Sequence, residues 1–221
     1  MEKKHPNIRA VAFDYGGVLA YFITEESVND MAHIAQVDFK SFNSALWKHR
    51  HELDSGEYDN NRYWNTVLDL CDSPVPREQS IIDTLVDMDI KGFSSMNQGM
   101  LCWADTLKEK GFRTIIISNM AESTYRTLMV EQEWMQHFDE TVISGIIGIN
   151  KPDSRIFKHA LERMQLDAEE ILFLDDLFHN VVGAKEAGLH ALLFSDTQTL
   201  AEDLKTHYPN LPVEGLDCSP R

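Results

Sequence analysis

Cysteine is scarce in this chain of 221 residues: Cys71, Cys102 and Cys218 form an odd set without paired spacing, and no CxxC occurs. Neither a disulfide framework nor a cysteine zinc site is therefore expected, and a reducing compartment fits best. Long apolar runs are missing too. Nowhere is there a stretch of about 18 apolar residues, the length that crosses a bilayer, so no membrane partner is expected. The strand-like run ahead of Asp14 has only six residues, too short for the apolar region of a signal peptide, and a cytoplasmic protein is expected. Basic residues are few, 20 Lys and Arg against 36 Asp and Glu, for a formal net charge of −16. Such a field repels polyanions, so nucleic acid is not an expected partner. An anionic substrate would have to be met locally, by a metal ion, a lysine or helix N-termini.

What is present is an ordinary globular composition, 43% hydrophobic and 25% charged, sufficient for a substantial core. Ile8 to Phe13 is a short, mostly apolar run that ends in Asp14-Tyr15-Gly16-Gly17, as a buried strand ends in a tight loop. From about Thr24 to about Lys91 the apolar residues follow helical spacing, with Val28, Met31 and Ala32, then Phe42, Ala45 and Leu46, then Tyr63, Trp64, Val67 and Leu68. Pro74 and Pro76 interrupt this stretch before a helix from about Arg77 to Met88. Beyond it, helices and strands alternate. Strands are expected at Arg113–Ile117, Glu140–Ile143, Glu170–Leu174 and His190–Phe194, with helices at Asn97–Lys110, Glu122–Val130, Asp153–Met164, Phe178–Ala187 and Leu200–His207. That alternation predicts an α/β fold: a Rossmann-like parallel sheet core, residues 1–19 and 92–221, carrying an inserted all-helical lobe, residues 20–91.

Ligands of open parallel sheets bind beyond the carboxyl ends of the strands. The residues found there are Asp14 with Gly16 and Gly17 after the first strand, Ser118 and Asn119 after the second, a loop carrying Lys151 after the third, and Asp175 and Asp176 after the fourth. Three carboxylates brought close would raise one another's pKa, so a cation is expected among them. All-oxygen ligands with water fit Mg²⁺, and no histidine or cysteine is placed to favour zinc. Gly16 can offer its carbonyl to a metal, and nearby N–H groups can approach an anion. Ser118 and Asn119 sit where a hydroxyl, an amide and free N–H groups can point at an anion, and Lys151 adds a compact positive charge. Taken singly, Asp175, Asp176 or Ser118 is an ordinary helix cap and Lys151 a solvated loop charge. Their joint occurrence, each after its own strand, favours a catalytic site.

At these residues the chain resembles the haloacid dehalogenase (HAD) superfamily. The resemblance rests on Phe13-Asp14-Tyr15-Gly16-Gly17-Val18-Leu19, Ile115-Ile116-Ile117-Ser118-Asn119, Lys151-Pro152-Asp153 and Phe173-Leu174-Asp175-Asp176 continuing to Asn180, Gly183 and Gly188. It covers nearly the whole chain, and residues 20–91 look like that family's helical cap, Gly56-Glu57 and Tyr63-Trp64 included. The resemblance implies a phosphatase acting on a small-molecule phosphate ester, with Asp14 forming an aspartyl-phosphate that water hydrolyses. It implies Mg²⁺ held by Asp14, the Gly16 carbonyl and Asp176, with Asp175 behind or through water. Gly17, Ser118 and Asn119 would bind phosphoryl oxygens, and Lys151 would orient the nucleophile.

One departure stands out. Most phosphatases of that family carry a second aspartate two positions after the nucleophile, and here that position is Gly16. A general acid contribution of about 10²- to 10⁴-fold must then come from elsewhere. Either the substrate has an easy leaving group, such as an anomeric sugar phosphate or an acyl phosphate, or a cap residue supplies the proton. The Asp-x-Gly pattern resembles that of bacterial α-D-glucose-1-phosphate phosphatases of the family. The competing expectations are a 2-haloacid dehalogenase and a non-catalytic binding protein on the same frame. For substrate contact, Tyr21, Phe22, Trp47, His49, Arg50 and His51 are the candidates, and the chain is expected as a monomer or homodimer.

Overall fold

The computed structural model describes residues 5–218. Five strands, β1 (Ala10–Phe13), β2 (Arg113–Ser118), β3 (Glu140–Ile143), β4 (Ile171–Asp175) and β5 (His190–Leu193), form one sheet in the order β3-β2-β1-β4-β5, every neighbouring pair parallel. Between β1 and β2 lie five helices, α1 (Glu25–Ile34), α2 (Phe39–Lys48), α3 (Arg50–Asp54), α4 (Asn60–Leu70) and α5 (Gln79–Gly92), which build the helical cap, and then α6 (Gln98–Glu109). Helix α7 (Glu122–Leu128) leads to β3, α8 (Ser144–Ile147) and α9 (Ser154–Met164) to β4, α10 (Phe178–Glu186) to β5, and α11 (Thr197–His207) follows.

Alternation along the strands explains the layering. Ala10, Ala12, Ile115, Ile117, Ile171 and Phe173 face one side and pack with Ile156, Phe157, Ala160 and Met164 of α9 and with Val181 and Ala184 of α10. Their chain neighbours Val11, Phe13, Ile116, Leu172 and Leu174 face the other side, against Met100, Trp103 and Leu107 of α6 and Leu200 and Leu204 of α11. Each fully buried Leu, Ile or Phe of this kind contributes roughly 1.5–3 kcal/mol. The cap has its own reasons to be helical. Thr24, Asp38 and Asp59 each accept a hydrogen bond from an N–H of the first turn of α1, α2 and α4, caps of about 1 kcal/mol apiece.

The expected elements are found with shifted ends. β1 starts at Ala10 rather than Ile8, and β4 runs one residue further, so that Asp175 belongs to the strand. Helix α11 begins at Thr197, three residues earlier than expected, because Asp196 accepts from the Thr199 N–H and caps it. Helix α8 was not foreseen. It is a single turn containing Gly145 and stopped by Gly148 in the left-handed conformation, too short to show a period.

The chain travels from β1 outward to β2 and β3, then returns across β1 to β4 and β5. Strand order therefore reverses between β1 and β4, and the crevice beyond their carboxyl ends is where such a sheet leaves room for a ligand.

Candidate active site

Asp14 follows β1 directly, and its backbone N–H donates to the Leu174 carbonyl of β4 at 2.9 Å, which fixes it between the two central strands. Its carboxylate is asymmetrically held. Oδ1 accepts from the Tyr15 N–H at 2.6 Å and pairs with Lys151 Nζ at 2.8 Å, while Oδ2 has no hydrogen-bond partner among the described residues. Burial is the main influence on Asp14 and pushes its pKa up to about 8; Lys151 counteracts this, and Asp175 and Asp176 reinforce it.

Lys151 is 1% exposed and lies inside this acidic group. Its Nζ reaches Asp175 Oδ2 at 2.7 Å and the Ile117 carbonyl at 2.9 Å, in addition to Asp14. Burial works to lower its pKa, but Asp14 and Asp175 outweigh it and hold the ammonium charged. The loop that delivers it is clamped by Asn119, whose Oδ1 accepts from the Lys151 N–H at 2.7 Å while its Nδ2 donates to the Lys151 carbonyl at 3.0 Å. The Lys151–Pro152 peptide is cis. Gly183 of α10 lets this loop sit close, since a Cβ there would lie 2.6 Å from the Pro152 carbonyl oxygen.

Asp175 is fully buried and accepts four contacts from three donors: the Leu177 N–H at 2.9 Å, Asn180 Nδ2 at 3.0 and 3.1 Å to its two oxygens, and Lys151 at 2.7 Å. Both its oxygens are thereby saturated, which leaves no lone pair for a metal. Asp175 thus sits behind Lys151 and supports it. Asp176 is the opposite case. It is half-buried, its Oδ1 is buried without any partner, and burial followed by repulsion from Asp175 raises its pKa.

One oxygen from each of Asp14, Asp175 and Asp176 lies within 4.8 Å of the others. Three carboxylates face one ammonium, one of them has an unpartnered buried oxygen, and every donor is oxygen, so the residues fit a hard divalent cation such as Mg²⁺. Asp14 and Asp176 would hold it, and Gly16, which lines the same cavity, would add its carbonyl.

Gly17 serves differently from the expectation. Its N–H donates to the Ala20 carbonyl at 2.8 Å, closing the loop, and is not free for a phosphate. What the position requires is absence of a side chain: φ is +75°, and a Cβ would lie 2.5 Å from Asp176 Cγ. The Asn119 side chain is likewise spent on the Lys151 backbone rather than open to an anion.

The cavity above these groups has a volume of about 270 Å³ and is lined by Ser118, Asn119, Asp14, Gly16 and Asp176 below and by Phe22, Trp47, Arg50, His51, Asp54 and Phe93 above. A larger open groove of about 580 Å³ beside Asp105 and His137 holds none of the residues that follow the strands. Of the expected cap contacts, Phe22, Trp47, Arg50 and His51 line the cavity; Tyr21 and His49 do not, His49 pairing with Glu52 at 3.0 Å.

Asp54, Asp89 and Phe93 were missed in the sequence. Arg50 Nη1 contacts both oxygens of Asp89, at 2.8 and 2.9 Å, its Nε contacts Asp54 Oδ1 at 3.1 Å, and its guanidinium lies 5.3 Å from the centre of the Phe93 ring. The spacing of Arg50 and Asp54, four apart on a helix, was a usable signal. Nothing local points to Asp89, 39 residues further on.

The cap is docked by backbone groups. Ser144 Oγ donates to the Asp54 carbonyl at 2.6 Å and accepts from the Met120 N–H at 2.8 Å, and Asn150 Nδ2 donates to the His51 carbonyl at 2.7 Å.

The chain is similar to known proteins in sequence and in fold. The chain is 31% identical over 158 residues to bifunctional epoxide hydrolase 2 of Rattus norvegicus, a match covering 68% of this chain and 28% of that protein. It is 35% identical over 112 residues to glyceraldehyde 3-phosphate phosphatase of Methanothermobacter thermautotrophicus, covering half of each. The chain thus spans half or less of the length of these two relatives. In structure it superposes with a TM-score of 0.65 on a HAD family enzyme of Bacteroides thetaiotaomicron solved in complex with magnesium and inorganic phosphate, at 19% identity and covering 84% of this chain and 93% of the other. The sequence profile of the haloacid dehalogenase-like hydrolases matches residues 8–188, which contain all four strand-end groups of the cavity floor, and the chain belongs to that family of hydrolytic enzymes.

Proposed function

We propose that this chain is a magnesium-dependent phosphatase that hydrolyses a small phosphate ester through an aspartyl-phosphate on Asp14. The observation that carries the reading is the pairing of two unpartnered oxygens, Asp14 Oδ2 and Asp176 Oδ1, in one carboxylate cluster at the strand-order reversal. Lys151 and Tyr15 N–H fix Asp14 Oδ1, so that the other oxygen is the one presented to phosphorus. When bound, Mg²⁺ offsets negative charge on the phosphoryl oxygens and on the carboxylates that face them. Ser118 at the end of β2 binds a phosphoryl oxygen, Lys151 keeps the nucleophile oriented, and Asp175 with Asn119 keeps Lys151 in place.

The same proposal includes the division of labour between a core of residues 1–19 and 92–221 and a cap of residues 20–91 that closes over the substrate. The small cavity and the Asp-x-Gly pattern favour a small phosphorylated metabolite, with a sugar phosphate of the glucose 1-phosphate type as the first candidate. A dehalogenase would leave the excess negative charge of the floor unmet, because its chemistry uses no cation.

The test is phosphate release from a panel of sugar and nucleotide phosphates with Mg²⁺ or with EDTA, for the parent and Asp14→Asn. Release that requires Mg²⁺ and Asp14 is expected. Chloride release from a 2-haloacid without metal, in the absence of phosphate release, would overturn it.

A further inference from the structure

Eleven of the cavity residues carry a side chain with a transferable proton or a hydrogen-bond role, and several are already engaged. Tyr15 donates its hydroxyl to the Phe93 carbonyl at 2.8 Å, Asn180 is committed to Asp175, Asn119 to Lys151, and Arg50 to Asp89. Asp14 and Asp176 belong to the metal-binding floor. In the roof, Asp54 stands apart. It lines the cavity that holds Asp14 and Gly16, only its Oδ1 is engaged by Arg50, and its Oδ2 has no partner among the described residues.

Charge makes the same point. The single guanidinium of Arg50 already meets both oxygens of buried Asp89, so a second carboxylate against it is in excess. A proton removes that excess at little cost, and Asp54, at the cavity, is the place where it can be exchanged. We propose that Asp54 is the catalytic acid and base that replaces the side chain missing at Gly16. The proposal rests on the phosphatase reading.

In the first step the Asp14 oxygen bonds to phosphorus while the ester P–O bond breaks, and the departing oxygen takes the proton from Asp54 Oδ2. In the second, Asp54, now a carboxylate, takes a proton from water as the water oxygen bonds to phosphorus and the Asp14–phosphorus bond breaks. Asp54 is protonated again at the end and phosphate is released. Burial, the leading influence, together with Asp89, holds the Asp54 pKa up to about 6 in spite of Arg50 and, more weakly, His51. Those residues and Tyr63 are the titratable or charged groups of the cap that face it; α8, which packs on α3 from the core, brings none. His51, also at the cavity, is exposed and is the competing donor.

The experiment compares n-propyl phosphate, a poor leaving group, with p-nitrophenyl phosphate, a good one, at saturating Mg²⁺. Asp54→Asn should lower kcat/KM for the propyl ester about 10²- to 10⁴-fold and for the nitrophenyl ester less than tenfold, and Asp54→Glu should recover part of the propyl activity. In the parent, kcat/KM for the propyl ester should fall as pH rises past the loss of the Asp54 proton, and that for the nitrophenyl ester should not. The parent profile needs no variant to fold. Equal losses on both esters with Asp54→Asn, or the selective loss appearing in His51→Gln instead, would overturn the assignment while leaving the phosphatase reading intact. No phosphate release by the parent, or release surviving Asp14→Asn, would remove both.

Discussion

The floor and the roof of the cavity are built on the same plan with different remainders. On the floor, three carboxylates surround one ammonium; in the roof, two carboxylates flank one guanidinium. The floor is left with two negative charges and the roof with one. A remainder of two suits a divalent cation and a remainder of one suits a proton, so the difference in count sorts the two sites into metal binding and proton transfer. They are also supported differently. The floor is pinned by strand ends and by Asn180 and Asn119, whereas the roof hangs on a five-residue helix and one partner from α5.

Lys151→Met is the most severe way to disturb this balance. It leaves Asp14 and Asp175 buried and facing each other without a cation, and a loss of about 3–5 kcal/mol in urea unfolding is expected, together with loss of phosphate release. Wild-type turnover in this variant would mean that the floor is structural. For Asp54, the sign follows from a folded pKa of about 6 against the ordinary 3.8. The folded state holds a proton there that the unfolded chain has lost, so this group's contribution is intact below about pH 4 and declines as pH rises to about 6. Thermal melts should show the parent losing roughly 2–3 kcal/mol relative to Asp54→Asn across that window. Parallel curves would sink the roof's proton.

Gly17→Ala acts on the floor alone. A left-handed residue with a Cβ is strained by roughly 1–2 kcal/mol, and the new carbon must displace Asp176. Mg²⁺ affinity by calorimetry should fall at least about tenfold. Gly16→Ala is the smallest change. Its Cβ would meet only the Phe22 ring, at 3.5 Å, and the backbone is not left-handed, so stability should stay within about 0.5 kcal/mol. The lack of a side chain at position 16 is then a matter of chemistry and not of space, and a large loss would reverse that conclusion.

The floor was legible in the sequence because Asp14 and Asp176 directly follow strands, Ser118 ends one and Lys151 lies on the connection that leaves β3, and strands announce themselves by short apolar runs. Asp14, Ser118, Lys151 and Asp176 required no knowledge of long-range contacts to be grouped. The finer division within that group was hidden. That Asp175 is saturated, that Gly17 makes room instead of binding, and that Asn119 grips a backbone all depend on which atoms meet across 24 to 159 residues of chain. The roof was half legible: helical spacing joins Arg50 to Asp54, but Asp89 reaches them only through the packing of α5. Helix α8 escaped because one turn carries no periodicity.

Fastening of the cap through the carbonyls of His51 and Asp54, rather than through their side chains, has an evolutionary consequence. Every amino acid carries the same carbonyl, so a replacement at His51 can retune what the pocket accepts without removing this fastening. A lineage could thus explore new substrates at His51 while Ser144 and Asn150 go on gripping an unchanged main chain.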